Sequence, residues 1–147
     1  MPDEKNRPAG ILIAFDFGHR RIGVAVGQTL TGTANALAVV AVAAKPDWQT
    51  ITTIIKEWNP AALVVGLPLA TDGGETDMSK DARQFGRRLE DRYGIQVLYE
   101  DERLTSFSAG QRFAEARAEG RMRRKDAVLK DAMAAQIILE NWLQSAP

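Results

Sequence analysis

Three acidic positions sit where the hydrophobic pattern leaves little room for charge. Asp16 interrupts the apolar run Ile11 to Phe17, which reads as a buried strand. Strand interiors avoid Asp, and a buried carboxylate without a partner is costly. A purely structural role is open to it: a hydrogen bond to the turn Gly18-His19-Arg20, or a pair with Arg20 or Arg21. Asp131 lies on, or at the edge of, the stripe Val128, Ala132, Ala135, Ile138, Leu139 and Trp142 of a final helix. The bland alternative there is interaction with the helix dipole, although Asp126 comes first, lies off the stripe and suits capping better. The third position is within Glu100-Asp101-Glu102-Arg103, directly after a predicted strand. Alternation along Ile95, Val97 and Tyr99 puts Asp101 on one face and Glu100 and Glu102 on the other. Pattern alone does not choose between Asp101 and Glu102.

Clustered carboxylates raise one another's pKa unless a cation compensates. The chain has no cysteine and a single histidine, His19. That excludes disulfides, thiolate zinc sites and cysteine nucleophiles, and argues against a serine triad or a histidine metal site. Hard oxygen ligands favour Mg²⁺ or Mn²⁺. Two such ions, ~3.5–4 Å apart, activate a water and stabilise the leaving oxygen of an in-line phosphoryl displacement. The chemistry expected of these residues is therefore metal-dependent phosphodiester hydrolysis with two ions.

The elements that must position them follow from the pattern. Ile11 to Phe17, Ile22 to Val26 and Ala36 to Ala43 read as three strands, the first two joined by the turn Gly18 to Arg21. Pro46-Asp47 starts a helix with Asp47 as N-cap, and Trp48, Ile51, Ile54, Ile55 and Trp58 share one face of it. Asn59-Pro60 ends that helix. Ala62 to Val65 is a fourth strand, closed by Gly66-Leu67-Pro68. A charged helix over Asp77 to Tyr93 stops at Gly94, and Ile95 to Tyr99 is a fifth strand. Two helical stretches finish the chain, about Ser106 to Glu119 and Asp126 to Gln144. Strands joined by short links should be antiparallel, and those joined through helices parallel. The expected fold is α/β: one mixed five-stranded sheet, three antiparallel strands followed by two parallel ones, covered by helices.

The 147 residues are the size of one domain, and 45% of them are apolar, so a folded globule over residues 11–147 is expected behind a flexible tail over 1–10. The opening segment has no apolar core of a secretory signal, and no apolar run reaches the ~18 residues of a membrane span. A cytoplasmic protein without a membrane partner is expected. Formal net charge is zero, so any grip on nucleic acid must be local. Between Arg103 and Lys125 there are seven basic and two acidic residues, densest at Arg121, Arg123, Arg124 and Lys125. A solvated helix face with a basic loop is the plain alternative.

At four places the chain resembles the YqgF family, also called RuvX. They are Ala14-Phe15-Asp16-Phe17-Gly18-His19-Arg20-Arg21-Ile22-Gly23-Val24-Ala25, Val64-Val65-Gly66-Leu67-Pro68 followed by Asp72-Gly73, Asp101-Glu102-Arg103-Leu104-Thr105, and Lys130-Asp131 with Ala134-Ala135 and Ile137 to Glu140. The resemblance implies a ribonuclease H-like fold related to Holliday junction resolvases. It implies a nuclease that matures the 5′ end of pre-16S rRNA, with Asp16, Glu102 and Asp131 as the three metal ligands. It tips the choice within the acidic triplet towards Glu102. Lys130 departs from the apolar residue usual before the last Asp, and Met133 from the small residues usual after it.

Arg20, Arg21, Arg103 and the basic run Arg121, Arg123, Arg124 and Lys125 are the expected phosphate contacts, giving affinity with little sequence reading. Gly66-Leu67-Pro68 either shapes the sheet edge beside the metals or simply ends a strand. Phe107 and Phe113 have the helical spacing of core residues, and His19 reads as a turn residue. The partner expected is structured RNA, with a pre-ribosomal particle or a four-way DNA junction as further partners, and the chain a monomer or homodimer. A junction resolvase needs two active sites and hence a symmetric dimer. Two other classes compete. An Asp-x-Gly strand-turn also opens the actin-like ATPase and sugar kinase fold, but a second phosphate loop and a second domain are not evident. A non-catalytic rRNA-binding assembly factor would have little reason to keep three misplaced acids.

Overall fold

The apolar run that carries Asp16 forms β1, Ile11–Asp16, the central strand of the sheet. The computed structural model describes residues 8–102 and 130–145. A short turn returns the chain into β2, Arg21–Gln28, antiparallel to β1, and a second returns it into β3, Thr33–Ala41, antiparallel to β2. Helix α1, Trp48–Trp58, then carries the chain across to β4, Ala62–Leu67, which pairs parallel with β1. Helix α2, Asp77–Tyr93, leads in the same way to β5, Val97–Asp101, parallel to β4. The strand order β3-β2-β1-β4-β5 is the mixed sheet that the lengths of the connections require. Helix α3, Lys130–Gln144, closes the described chain. The expected helix over Ser106 to Glu119, and Phe107 and Phe113 within it, lie outside the described residues.

Local signals set the helix ends. Asp47 caps α1, its carboxylate accepting from the Thr50 amide at 3.2 Å and the Thr50 hydroxyl at 2.7 Å. Asn59 ends it in the left-handed region, with φ 46°, immediately before Pro60. Thr76 and Ser79 form a reciprocal capping box at the start of α2, and Gly94 ends that helix with φ 64°. Each strand has at least one end that differs from the sequence pattern, and two of the starts differ for reasons of pairing. β3 begins three residues early, at Thr33, because its ladder with β2 runs on to Gln28. β5 begins at Val97 rather than Ile95, because its first partner on β4 is Leu63. The shift carries Glu100 and Asp101 into the strand.

The two faces of the sheet are covered differently. On one, Ile13, Phe15, Ile22, Val24, Leu63 and Val65 pack against Ile51, Ile54 and Ile55 of α1 and Phe85 and Leu89 of α2. Phe15 meets Phe85 edge-to-face, ring centroids 5.6 Å apart. On the other face, Leu12, Ala14, Ala25, Ala62 and Val64 meet Ala135, Ile138, Leu139 and Trp142 of α3. This second face carries several Ala and Gly residues among its strands, and it is where the acids are.

Candidate active site

Asp16 is the last residue of β1. Alternation from Leu12 and Ala14 turns it to the α3 face. Its partner across the antiparallel pair is Gly23 on β2. The first turn of α3 lies directly on that glycine: a methyl group built there would fall on the Asp131 carbonyl oxygen. Gly23 therefore permits the close approach that brings Asp131 beside Asp16.

Glu102 comes from the other side. It follows β5 directly, and its amide donates to the Leu67 carbonyl at 3.0 Å, extending the ladder by one step. Leu98 packs on the α3 face and Val97 and Tyr99 on the opposite one. The same alternation turns Glu102 towards Asp16 and Asp101 away. Gly66 on β4 leaves the space that Glu102 fills; a methyl group there would overlap Glu102 Oε2 and Ile138. Glu102 is only 8% exposed. Its Oε2 is buried with no hydrogen-bond partner among the described residues.

The carboxyls of Asp16 and Glu102 are close enough to share a proton. Two carboxylates share a hydrogen bond only if one holds a proton. Burial, and then the charge of Asp131, pushes the Asp16 pKa up to about 7. Burial, and then the charge of Asp16, pushes Glu102 up to about 8. Asp131 stands slightly apart: Arg21, the first residue of β2, donates from Nε to Asp131 Oδ2 at 2.9 Å. As they stand, no three acidic or histidine side chains among the described residues converge on a single ion position.

The arrangement is nevertheless one that suits a hard divalent cation. The donors are all carboxylate oxygens, one is buried and unpartnered, and burial together with neighbouring negative charge favours a proton on the pair. A cation would replace the shared proton between Asp16 and Glu102 and compete with Arg21 for Asp131.

Of the other expected binding residues, the described ones are Arg20 and Arg21. Arg20 is exposed in the β1–β2 turn. Arg21 is engaged by Asp131, a pairing the sequence hid because it depends on where α3 docks. Arg103, Arg121, Arg123, Arg124 and Lys125 lie outside the described residues. His19 is tied to α2, its Nε2 2.7 Å from Asp81 Oδ2. Gly23 is a positioning residue the sequence reading passed over, whereas Gly66 lies beside the acids as the first of its two readings had it. Their signal was present as Gly in strand interiors that otherwise carry Val, Ile and Leu.

A mixed sheet in the order 3-2-1-4-5, with acids from β1, β5 and the last helix gathered at one end, defines a ribonuclease H-like fold. T. thermophilus RuvC, solved in complex with a Holliday junction substrate, has this fold: it superposes with a TM-score of 0.54 at 16% identity, over 93% of this chain and 98% of its own. The chain belongs to the RuvX family, whose model, described as "Holliday junction resolvase", matches residues 10–145. Among its relatives, a Xanthomonas euvesicatoria protein is 50% identical over 93% of this chain and 89% of its own. A Pseudomonas aeruginosa protein is 46% identical over 97% of both. Each is called "Putative pre-16S rRNA nuclease".

Proposed function

We propose that the protein is a metal-dependent endonuclease that hydrolyses phosphodiesters and processes the 5′ end of pre-16S rRNA in the cytoplasm. The observation that carries the reading is the buried Asp16–Glu102 pair, with its unpartnered Oε2, beside Asp131. These three residues would hold Mg²⁺ or Mn²⁺, in one or two positions. Bound there, the cation supplies positive charge to the phosphoryl oxygens during in-line displacement. The chain's own part is to fix the three carboxylates on rigid strand ends and a helix start, with Gly23 and Gly66 setting how closely they approach. Arg20, Arg103, Arg121, Arg123, Arg124 and Lys125 would bind backbone phosphates. Arg21, displaced from Asp131 as a cation enters, would join them. The RNA substrate is supported by the names of relatives near 50% identity.

A four-way DNA junction is the second reading, favoured by the description of the family model. It requires a symmetric dimer with two sites.

The test is cleavage of a 5′-extended 16S rRNA precursor and of a four-way DNA junction with Mg²⁺, Mn²⁺ or EDTA. Wild type should cut in either metal and not in EDTA. Asp16→Asn should lose roughly 10³-fold or more in rate, several kcal/mol of transition-state stabilisation, while keeping its fold. Undiminished cutting by Asp16→Asn, or cutting in EDTA, would overturn the mechanism.

A further inference from the structure

β1 alternates at its end: Asp16 turns to the α3 face, and Phe17, the next residue, packs on the α1/α2 face against Phe85, ring centroids 5.0 Å apart. Beside Phe17 is a cavity of about 280 Å³ that the carboxylate chemistry does not use. Phe17, Phe85 and Pro46 line its apolar side, with Lys45 and Arg88 on its polar side. It lies at the low end of the size range of small-ligand pockets, room for one planar ring system rather than a base pair.

The charges around it are unbalanced. Asp81 is in the wall but is taken by His19 at 2.7 Å. Lys45 and Arg88 have no ion-pair partner among the described residues. A second, more open depression shares the 43–46 wall with this cavity and runs on to Trp48 and Arg92. Arg92, one turn beyond Arg88 on α2, lies over the Trp48 ring at 4.1 Å. The acid in that second depression, Asp47, is occupied in capping α1. An aromatic wall with free cations beside it is the chemistry that holds a nucleotide of a single strand: the ring takes the base, the cations the phosphates.

We propose that this cavity takes one unpaired nucleotide of the substrate strand, next to the phosphodiester that would lie at the carboxylate cluster. The proposal rests on the nuclease reading above. Asp16 and Phe17 are consecutive residues, so a strand crossing the β1–β2 turn past the exposed Arg20 passes from the carboxylates to the cavity within a nucleotide or two. The His19–Asp81 contact fixes that turn to α2, so the cavity wall is formed before substrate arrives.

The test is a titration of the ¹⁵N-labelled full chain with the tetranucleotides rU4 and dT4 in EDTA, followed by amide chemical shifts. Without metal no cleavage occurs, so the result stands apart from the nuclease reading, which fails separately if the carboxylates prove dispensable for cutting. Shifts should concentrate at residues 17–19, 42–45 and 84–88. A Lys45→Glu/Arg88→Glu variant, altered only at exposed positions, should bind at least about tenfold more weakly. Stronger shifts with rU4 than dT4 would identify the sugar as part of what is read; equal shifts support the cavity with base and phosphate alone. Shifts confined to other surfaces, or unchanged affinity in the variant, would overturn the proposal.

Discussion

The two faces of the sheet spend their side chains on different things. The α1/α2 face is filled with Ile, Val, Leu and Phe and holds no buried acid among the described residues. The α3 face carries Ala and Gly at many of its strand positions, and at Gly23 its helix sits close enough for the Asp131 backbone to touch the strand. Large side chains maximise buried apolar area. Small ones give some of that up and let two backbones approach, which is what gathers acids from three distant stretches of chain. The difference teaches that one face stabilises and the other positions, within a single sheet.

Substitutions should separate the two roles. Ile51→Ala, deep on the α1 side, should cost about 2–5 kcal/mol in urea unfolding. The rate per folded molecule should change less than about twofold. A large loss of rate in the folded variant would break the division. Gly23→Ala, on the positioning face, should cost about 1–3 kcal/mol. Its rate loss should exceed what the unfolded fraction explains, because α3 and Asp131 must retreat. A fully active, stable Gly23→Ala protein would show that the close approach is incidental.

The pH dependence of stability without metal sharpens the comparison further. Asp16 and Glu102 have folded-state pKa values raised to about 7 and about 8, above their ordinary values. Between the ordinary and raised values the folded state binds more protons than the unfolded one. Their contribution is therefore most favourable at low pH and is lost as pH rises through 7 to 8. From pH 6 to pH 9, urea unfolding in EDTA should show stability falling by up to about 4 kcal/mol on this account. Glu102→Gln should flatten the slope. An identical slope in the variant would mean the acids are not charged against each other in the folded chain.

Much of this was legible beforehand, for local reasons. Asp47 and Asn59-Pro60 mark the ends of α1 because capping and the residue before proline act over one turn. The sheet order follows from connection lengths. Asp16 and Asp131 stood out because each breaks an apolar pattern. What depended on pairing across the fold was not legible. Alternation separated Asp101 from Glu102, but only the β4–β5 register shows which of them shares a face with Asp16. The start of β5 moved by two residues for the same reason. The Arg21–Asp131 and His19–Asp81 contacts join residues 110 and 62 positions apart, distances no local pattern encodes.

The central claim is that the carboxylates form a cation site, and the most direct measurement is Mn²⁺ binding by calorimetry to wild type and to Asp16→Asn/Glu102→Gln. Wild type should bind with release of protons at pH 7, more tightly as pH rises to 8, and the double variant should not bind. Equal affinity in the two proteins, or wild-type binding indifferent to pH across that range, would contradict the account.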